Sequence, residues 1–342
     1  MSVSIQNVLC EEEGLKVAVV GLGKMGLLHA GILNTLSGVK LAAVCDKSGL
    51  IRRFFKKQLG EVQVVDDLEK LSGLGLDVVY VTTPISSHFP VTRAIYSRRI
   101  ARNVFVEKTL ASSYEEAREM CRLAQDSGGV SMVGYMKRFA VTFKKAKELL
   151  DQGALGDVAS FDAYGYSSDF LGVERGSGTS GSRGGVLADL GSHVIDLALW
   201  FFGDLEVDSV RLESTKKAGL EDSVVFTMRN SKDLKGSFDV SWCKEGYRMP
   251  EFGLLVRGSE GIMRVDNDKV EVKLADGKSS GWYRHDLNDS VGFLLGDPEY
   301  FREDERFIRS VSSNEKVEPS FTTASRVDWI IAQVKIRAGQ DG

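Results

Sequence analysis

Between Leu15 and Asp46 the chain runs through an apolar stretch, the turn Gly21-Leu22-Gly23-Lys24-Met25-Gly26, a helical pattern, a second apolar stretch and a carboxylate. No other feature restricts the fold as much. In a GxGxxG that leads into a helix, the first glycine permits the tight turn and the second lets backbone approach a pyrophosphate. The third allows close helix–strand packing. Exposed N–H groups at the helix start then favour negative charge. Alone, the spacing also suits an ordinary structural turn. Asp46 follows the third glycine by 20 residues, where a carboxylate accepts hydrogen bonds from a ribose diol. Together the two features read as dinucleotide binding.

The rest of the first 135 residues keeps the same rhythm. Short runs at Leu15–Val20, Val39–Cys45, Val62–Val65, Asp77–Val81, Asn103–Val106 and Val130–Gly134 alternate with helical patterns at Lys24–Leu36, Gly49–Leu59, Ser86–Arg98 and Tyr114–Ser127. Near-continuous β-branched runs between helices indicate a parallel sheet covered on both faces. After a linking helix at Phe139–Gln152 the pattern changes. Val158–Tyr166, Val207–Glu213, Val224–Met228, Lys235–Trp242, Phe252–Val256 and Lys269–Leu274 follow one another as alternating strands. That suits a mostly antiparallel sheet with one face packed. Helices are expected at Val186–Phe202, Glu299–Ser312 and Ala324–Ile336. The fold class is therefore α/β: a Rossmann dinucleotide-binding domain over residues 1–135 and an α+β domain with an open, mostly antiparallel sheet over 136–342. The last helix is free to return to the first domain. Six Gly and three Ser in the 14 residues Gly172–Gly185 read as a loop.

A formal net charge of -4 argues against bulk electrostatic attraction to nucleic acid or an anionic membrane. Cys10, Cys45, Cys121 and Cys243 are far apart with no metal-ligand spacing, so neither a metal site nor a disulfide framework is expected. The first residues lack the basic and apolar regions of a signal peptide, and no apolar run approaches a membrane span. A cytoplasmic protein is expected.

Asp46 would repel a 2′-phosphate, which favours NAD over NADP. Lys47, Arg52 and Arg53 either accommodate such a phosphate or form a solvated basic helix start. Thr82-Thr83-Pro84 ends the fourth strand at the carboxyl edge of the sheet, where ligands bind in open α/β folds. His88 follows in the first turn of the next helix, as a packing or capping residue or as a catalyst. Glu107-Lys108 follows the fifth strand at the same edge. It is a surface ion pair, or it places a lysine beside the substrate oxygen. In the apolar helix Val186–Phe202 the only titratable side chains are Asp189, His193 and Asp196. Asp189 and His193 are spaced i,i+4 and share a face. They form either a general base with its orienting carboxylate or a buried structural pair.

GLGKMG with His29, Asp46, TTP with His88, Glu107-Lys108 and GG…DLGSHVID, in this order, resemble the glucose–fructose oxidoreductase, inositol dehydrogenase and rhizopine catabolism family. The resemblance runs through ordered motifs from about Leu15 to Phe202. It implies a nicotinamide-dependent oxidoreductase acting on a hydroxyl-bearing carbon of a sugar, cyclic polyol or nucleotide sugar. It implies that Lys108 positions the reacting hydroxyl, His193 acts as acid/base, and Asp189 binds substrate and supports His193. The cofactor, NAD with NADP as the alternative, is expected on Gly21, Leu22, Gly23, Lys24, Met25, Gly26, Asp46, Lys47, Thr82, Thr83, Pro84, His88, Glu107 and Lys108. One position departs from the family pattern. Thr109 stands where proline usually follows the Glu-Lys pair, and a non-proline cis peptide costs roughly 2.5–4 kcal/mol. A trans bond, with Lys108 displaced, is the expectation.

Tyr135, Arg138 and Phe139 are placed either to border an interdomain cleft or to pack the two domains together. Arg175, Arg183, Tyr283, Arg284 and His285 are either surface residues or contacts to an anionic substrate. His29 is expected to be structural. Other readings are a reductase of a non-sugar substrate, an enzyme with internally recycled NAD, and a non-enzymatic dinucleotide sensor. An apolar face on the open sheet would bring two or four copies together as a homodimer or homotetramer.

Overall fold

The computed structural model describes residues 14–58, 60–169, 184–213 and 221–340. Its first sheet contains β1 (Leu15–Val20), β2 (Val39–Cys45), β3 (Gln63–Val65), β4 (Val78–Val81), β5 (Asn103–Glu107) and β6 (Ser131–Gly134). All pairings are parallel, in the order β3-β2-β1-β4-β5-β6. Every residue of β4 and β5 is buried, as strands covered on both faces require. The order reverses between β1 and β4, so a ligand crevice opens at their carboxyl ends.

Helices α1 (Lys24–Leu33), α2 (Gly49–Gln58), α3 (His88–Ser97) and α4 (Tyr114–Ser127) connect these strands. The limits of α4 follow from local chemistry. Ser113 Oγ accepts from Glu116 N at 3.2 Å, and Gly128 ends the helix at φ +64°. The expected start of α3 at Ser86 is instead a short 3-10 turn, Ile85–Ser87, behind Pro84.

Past α5 (Val141–Asp151) the chain builds a second sheet from β7 (Val158–Tyr166), β8 (Glu206–Glu213), β9 (Ser223–Arg229), β10 (Lys235–Ser241), β11 (Glu251–Gly258), β12 (Gly261–Asp266), β13 (Lys269–Leu274) and β14 (Ser279–Tyr283). Their order is β14-β13-β12-β11-β7-β10-β9-β8, antiparallel except for β7 beside β10. The sequence reading misses β12 and β14. Only Ser259 and Glu260 separate β11 from β12, and β14 is a mostly exposed polar edge strand without apolar alternation.

Helix α6 (Ser192–Phe202) packs against β7 and β11 on one face of this sheet, over a core that includes Phe161, Phe226, Phe238, Phe252 and Leu254. Period-two alternation sends the intervening residues to the other face. That face is not the apolar surface expected. It carries an Arg257–Asp162 ion pair at 2.6 Å, Tyr164 donating to Glu251 at 2.8 Å and Tyr166 donating to Asp239 at 2.7 Å.

The last two helices return to the first sheet. α7 (Pro298–Ser313) packs on α1, and α8 (Phe321–Gln340) lies against α4 and β6. Just before α8, Pro319 O accepts from Val133 N at 3.0 Å and satisfies part of the β6 edge. Among the described residues no helix is long and apolar enough to cross a membrane.

Candidate active site

The glycine turn has the shape its spacing implies. Gly21 sits at φ +94°, and a Cβ on Gly26 would lie 1.8 Å from Gly21 O, so only glycine lets α1 approach the turn. Thr82 Oγ1 donates to Gly21 O at 2.6 Å and ties the end of β4 to the same turn. Gly23 is the opposite case: a Cβ there would meet nothing within 4 Å. Gly23 is also the N-cap of α1, without a side-chain cap, and the first turn holds no acidic residue. The N–H groups of that turn, unpaired among the described residues, therefore have room beside Gly23 and a positive helix end behind them, which fits a pyrophosphate.

Asp46 follows β2 and is pinned against the turn. One carboxylate oxygen accepts from Leu22 N at 2.7 Å and the other from Ser48 N at 2.7 Å. Arg52 Nη1 donates to the carbonyls of Asp46 and Lys47, at 2.8 and 2.7 Å, so this guanidinium supports backbone. Lys47 itself is exposed.

Farther along the carboxyl edge, His88 is fully buried, with Nδ1 2.8 Å from Thr109 O and Nε2 2.8 Å from Thr83 O. Burial pulls its pKa down against the pull of those carbonyls. The ring thus holds the loops after β4 and β5 together from beneath. His29 is buried too. Its Nε2 lies 2.9 Å from Glu107 Oε1 and its Nδ1 2.9 Å from both carboxylate oxygens of Asp304 on α7.

The Lys108–Thr109 peptide bond is cis, so the expected trans form is corrected. Lys108 N donates to Glu107 Oε2 at 3.0 Å. Its ammonium donates to Asp189 Oδ1 at 2.8 Å and to Asp189 O at 2.9 Å. Trp242 Nε1, just after β10, donates to Asp189 Oδ2 at 3.1 Å. Leu187–Gly191 forms a single π-helical turn before α6, in place of the continuous α-helix expected. Such turns recur at functional sites.

His193 is 4% exposed, with the Tyr135 ring edge-on at 6.0 Å and Phe252 tilted at 4.9 Å. Its Nδ1 has no hydrogen-bond partner among the described residues. The expectation that Asp189 orients this imidazole is corrected: the carboxylate holds Lys108 and Trp242 instead. Burial, then the Lys108 and Lys137 charges, push the His193 pKa well below the ordinary histidine value. The ring is neutral at pH 7.

The third titratable residue of this helix has a partner of its own. Asp196 is 1% exposed and takes a bidentate ion pair from Arg138, at 2.6 and 2.8 Å. Tyr135 is also buried, with its hydroxyl unpartnered among the described residues. Arg284 is engaged by Asp289 and Glu299, while Tyr283 stacks on His285. Arg175 and Arg183 lie outside the described residues. Sequence reasoning did not single out Trp242, Lys137 or Phe252. Lys137 follows β6 at the same sheet edge and donates to buried Glu299 at 2.6 Å, so its place at that edge was a usable signal. Trp242 and Phe252 arrive from the second sheet, and only its register brings them here.

Residues 15–135 match the model described as "Oxidoreductase family, NAD-binding Rossmann fold", and residues 143–264 match the GFO/IDH/MocA C-terminal domain. The chain belongs to the GFO/IDH/MocA oxidoreductase family. It is 30% identical over 201 residues to scyllo-inositol 2-dehydrogenase (NAD(+)) of Bacillus subtilis, covering 58% of this chain and 57% of that protein. It is 26% identical over 321 residues to myo-inositol 2-dehydrogenase of Thermotoga maritima, covering 88% and 89%. Among solved folds, levoglucosan dehydrogenase in complex with NADH and levoglucosan superimposes with a TM-score of 0.82, at 19% identity, covering 96% of this chain and 98% of that one. The chain spans less than two thirds of the length of the Bacillus subtilis relative, and the family assignment gives it an NAD-binding Rossmann domain.

Proposed function

We propose that this oxidoreductase moves a hydride between a nicotinamide, NAD in preference to NADP, and a hydroxyl-bearing carbon of a sugar, cyclic polyol or nucleotide sugar. The observation that carries the reading is the Lys108–Asp189 ion pair, close enough to a buried, neutral His193 for the lysine charge to depress the histidine pKa. The named activities of the inositol and levoglucosan dehydrogenases point the same way. The preference for NAD rests on Asp46, whose carboxylate stands on the turn where a 2′-phosphate would have to sit.

When bound, the nicotinamide supplies the hydride acceptor or donor. The chain's own residues orient the substrate and handle the proton. Asp189 and Glu107 hold Lys108 from its two ends, so its ammonium can donate to the substrate hydroxyl and stabilise alkoxide charge as it forms. His193, neutral and flanked by Tyr135 and Phe252, accepts the hydroxyl proton during oxidation and returns it during reduction. The Tyr135 and Phe252 rings keep this imidazole out of water, 4% exposed, while the Lys108–Asp189 pair beside it stays partly open to an incoming substrate.

The test is reduced-nicotinamide absorbance with inositols, aldoses, sugar phosphates and nucleotide sugars. Turnover is expected with one of these groups. Loss of the acid/base group in His193→Ala should lower kcat by about 10²–10⁴-fold, and Lys108→Ala should lower kcat/KM at least as far as a lost oxyanion donor does, about 10²-fold. Turnover unaffected by either substitution would overturn the assignment. Cofactor binding without turnover on any substrate would favour internally recycled NAD or a sensor.

A further inference from the structure

One turn beyond His193, α6 presents Asp196 and Trp200 to Arg138, whose guanidinium lies 5.8 Å from the indole centroid. A cleft of about 480 Å³ opens past this group, between the start of α5, the end of α6, α7 and residues 316–318. None of its lining residues belongs to the glycine turn or to the Lys108 site. Its charged lining comprises Arg138, Lys144, Arg302, Arg306, Arg309 and Lys316 against Glu305 and Glu318, an excess of four positive charges in a chain whose net charge is -4.

Some of these cations are already paired. Arg138 holds Asp196, and Arg309 is 3.4 Å from Glu305. Arg302 Nη2 bonds Asp289 at 2.6 Å, but its Nη1 is buried without a partner among the described residues. Lys144, Arg306 and Lys316 make no ion pair among the described residues. Lys144 rests over the Phe139 ring at 5.4 Å. Burial, then Arg302 and Arg306, lower its pKa, with only Glu305 opposing. Like charges gathered this closely destabilise a fold unless an anion joins them.

We propose that this cleft binds a compact multivalent oxyanion, a phosphate or diphosphate group. The donors come from α5, α7 and the segment after α7, and so approach from several directions. A tetrahedral group with three or more acceptor oxygens can meet them together, whereas a lone carboxylate serves one fork. Arginine forks on α7 suit phosphate oxygens, and Lys144 and Lys316 add point charge.

The experiment is calorimetric titration of the full chain with inorganic phosphate and with pyrophosphate, at constant ionic strength and with saturating NAD to cover the glycine turn. Wild type should bind one anion per chain, pyrophosphate more tightly. Lys144→Glu with Arg306→Glu should weaken binding at least about tenfold, the loss of one charge-assisted contact or more. Lys144→Ala repeats the comparison should the double variant fail to fold. Equal affinity in wild type and variant would put the anion elsewhere and overturn the proposal. So would heats reproduced by sodium chloride alone, or tighter binding of citrate than of either phosphate. No readout depends on turnover, so failure here is separable from failure of the dehydrogenase reading.

Discussion

His29 Nε2 lies 2.9 Å from Glu107 Oε1 with both side chains buried, so the phosphate-turn helix is fastened to the residue preceding Lys108. Asp304 takes the other ring nitrogen. Burial works against the His29 charge, but the Asp304 and Glu107 carboxylates outweigh it and raise the pKa well above the ordinary value. A raised histidine contributes stability that is complete below its unfolded pKa of about 6.5 and is lost as pH rises through the folded value. The wild-type denaturation midpoint should therefore fall as pH climbs from about 6.5 toward the folded pKa. His29→Gln should be less stable at pH 6 and show a flatter slope. Parallel pH curves for the two proteins would refute the charged-histidine reading.

His193 shifts the other way. Because burial and two lysine charges hold it neutral, it remains a competent base below the ordinary histidine range. The acid limb of kcat/KM for oxidation should lie below pH 6.5, taking the unperturbed value of about 6.5 as reference. Lys137→Met, which removes one of the depressing charges, should move that limb upward. A wild-type limb at or above the reference would mean that the proton acceptor is some other group.

At Asp46 the test concerns which nicotinamide is used. Replacing it with Ser removes the negative charge beside Leu22 N but keeps a hydrogen-bonding group. The ratio of NAD to NADP efficiency should fall by at least about tenfold, equivalent to 1.4 kcal/mol of differential binding. An unchanged ratio would leave Lys47 and the loop backbone as the determinants.

Gly26→Ala introduces a Cβ 1.8 Å from Gly21 O, and neither atom belongs to a flexible side chain. The turn must open, so binding of reduced nicotinamide, followed by fluorescence, should drop by about tenfold or more, the equivalent of 1.4 kcal/mol. Gly23→Ala has room for its methyl group, with no described atom within 4 Å of it. It should spare stability and obstruct only the ligand.

Arg138→Ala should destabilise by about 3–5 kcal/mol, because it strands a carboxylate that is 1% exposed. Arg138→Ala with Asp196→Ala should recover part of that loss. Urea denaturation of the single and double variants measures the difference, and a neutral single variant would show that water reaches Asp196.

The first sheet was legible because its signals are local. Each strand is a short apolar run, and the glycine turn and Asp46 mark which strand ends meet. The catalytic candidates were legible as residues but not as partners. Helical spacing paired Asp189 with His193, whereas the fold gives Asp189 to Lys108 and Trp242. Nothing in i,i+4 spacing reveals a lysine 81 positions away that competes for the same carboxylate. The buried pairs Arg138–Asp196 and Lys137–Glu299 were hidden for the same reason: each joins segments that only the tertiary fold brings together. β14 was missed because only Trp282 of its five residues turns toward the core, too little for an alternation to show.

The return of α7 and α8 to the first sheet also bears on how the molecule assembles. Val133 finds its acceptor in Pro319, and His29 finds one of its two carboxylates in Asp304. During synthesis the nucleotide-binding half must therefore wait, with a buried histidine and a strand edge unsatisfied, until nearly two hundred further residues have emerged. Cutting the gene after residue 135 would yield a sheet lacking its outer helices and a buried histidine left with one of its two carboxylates, rather than a smaller working domain.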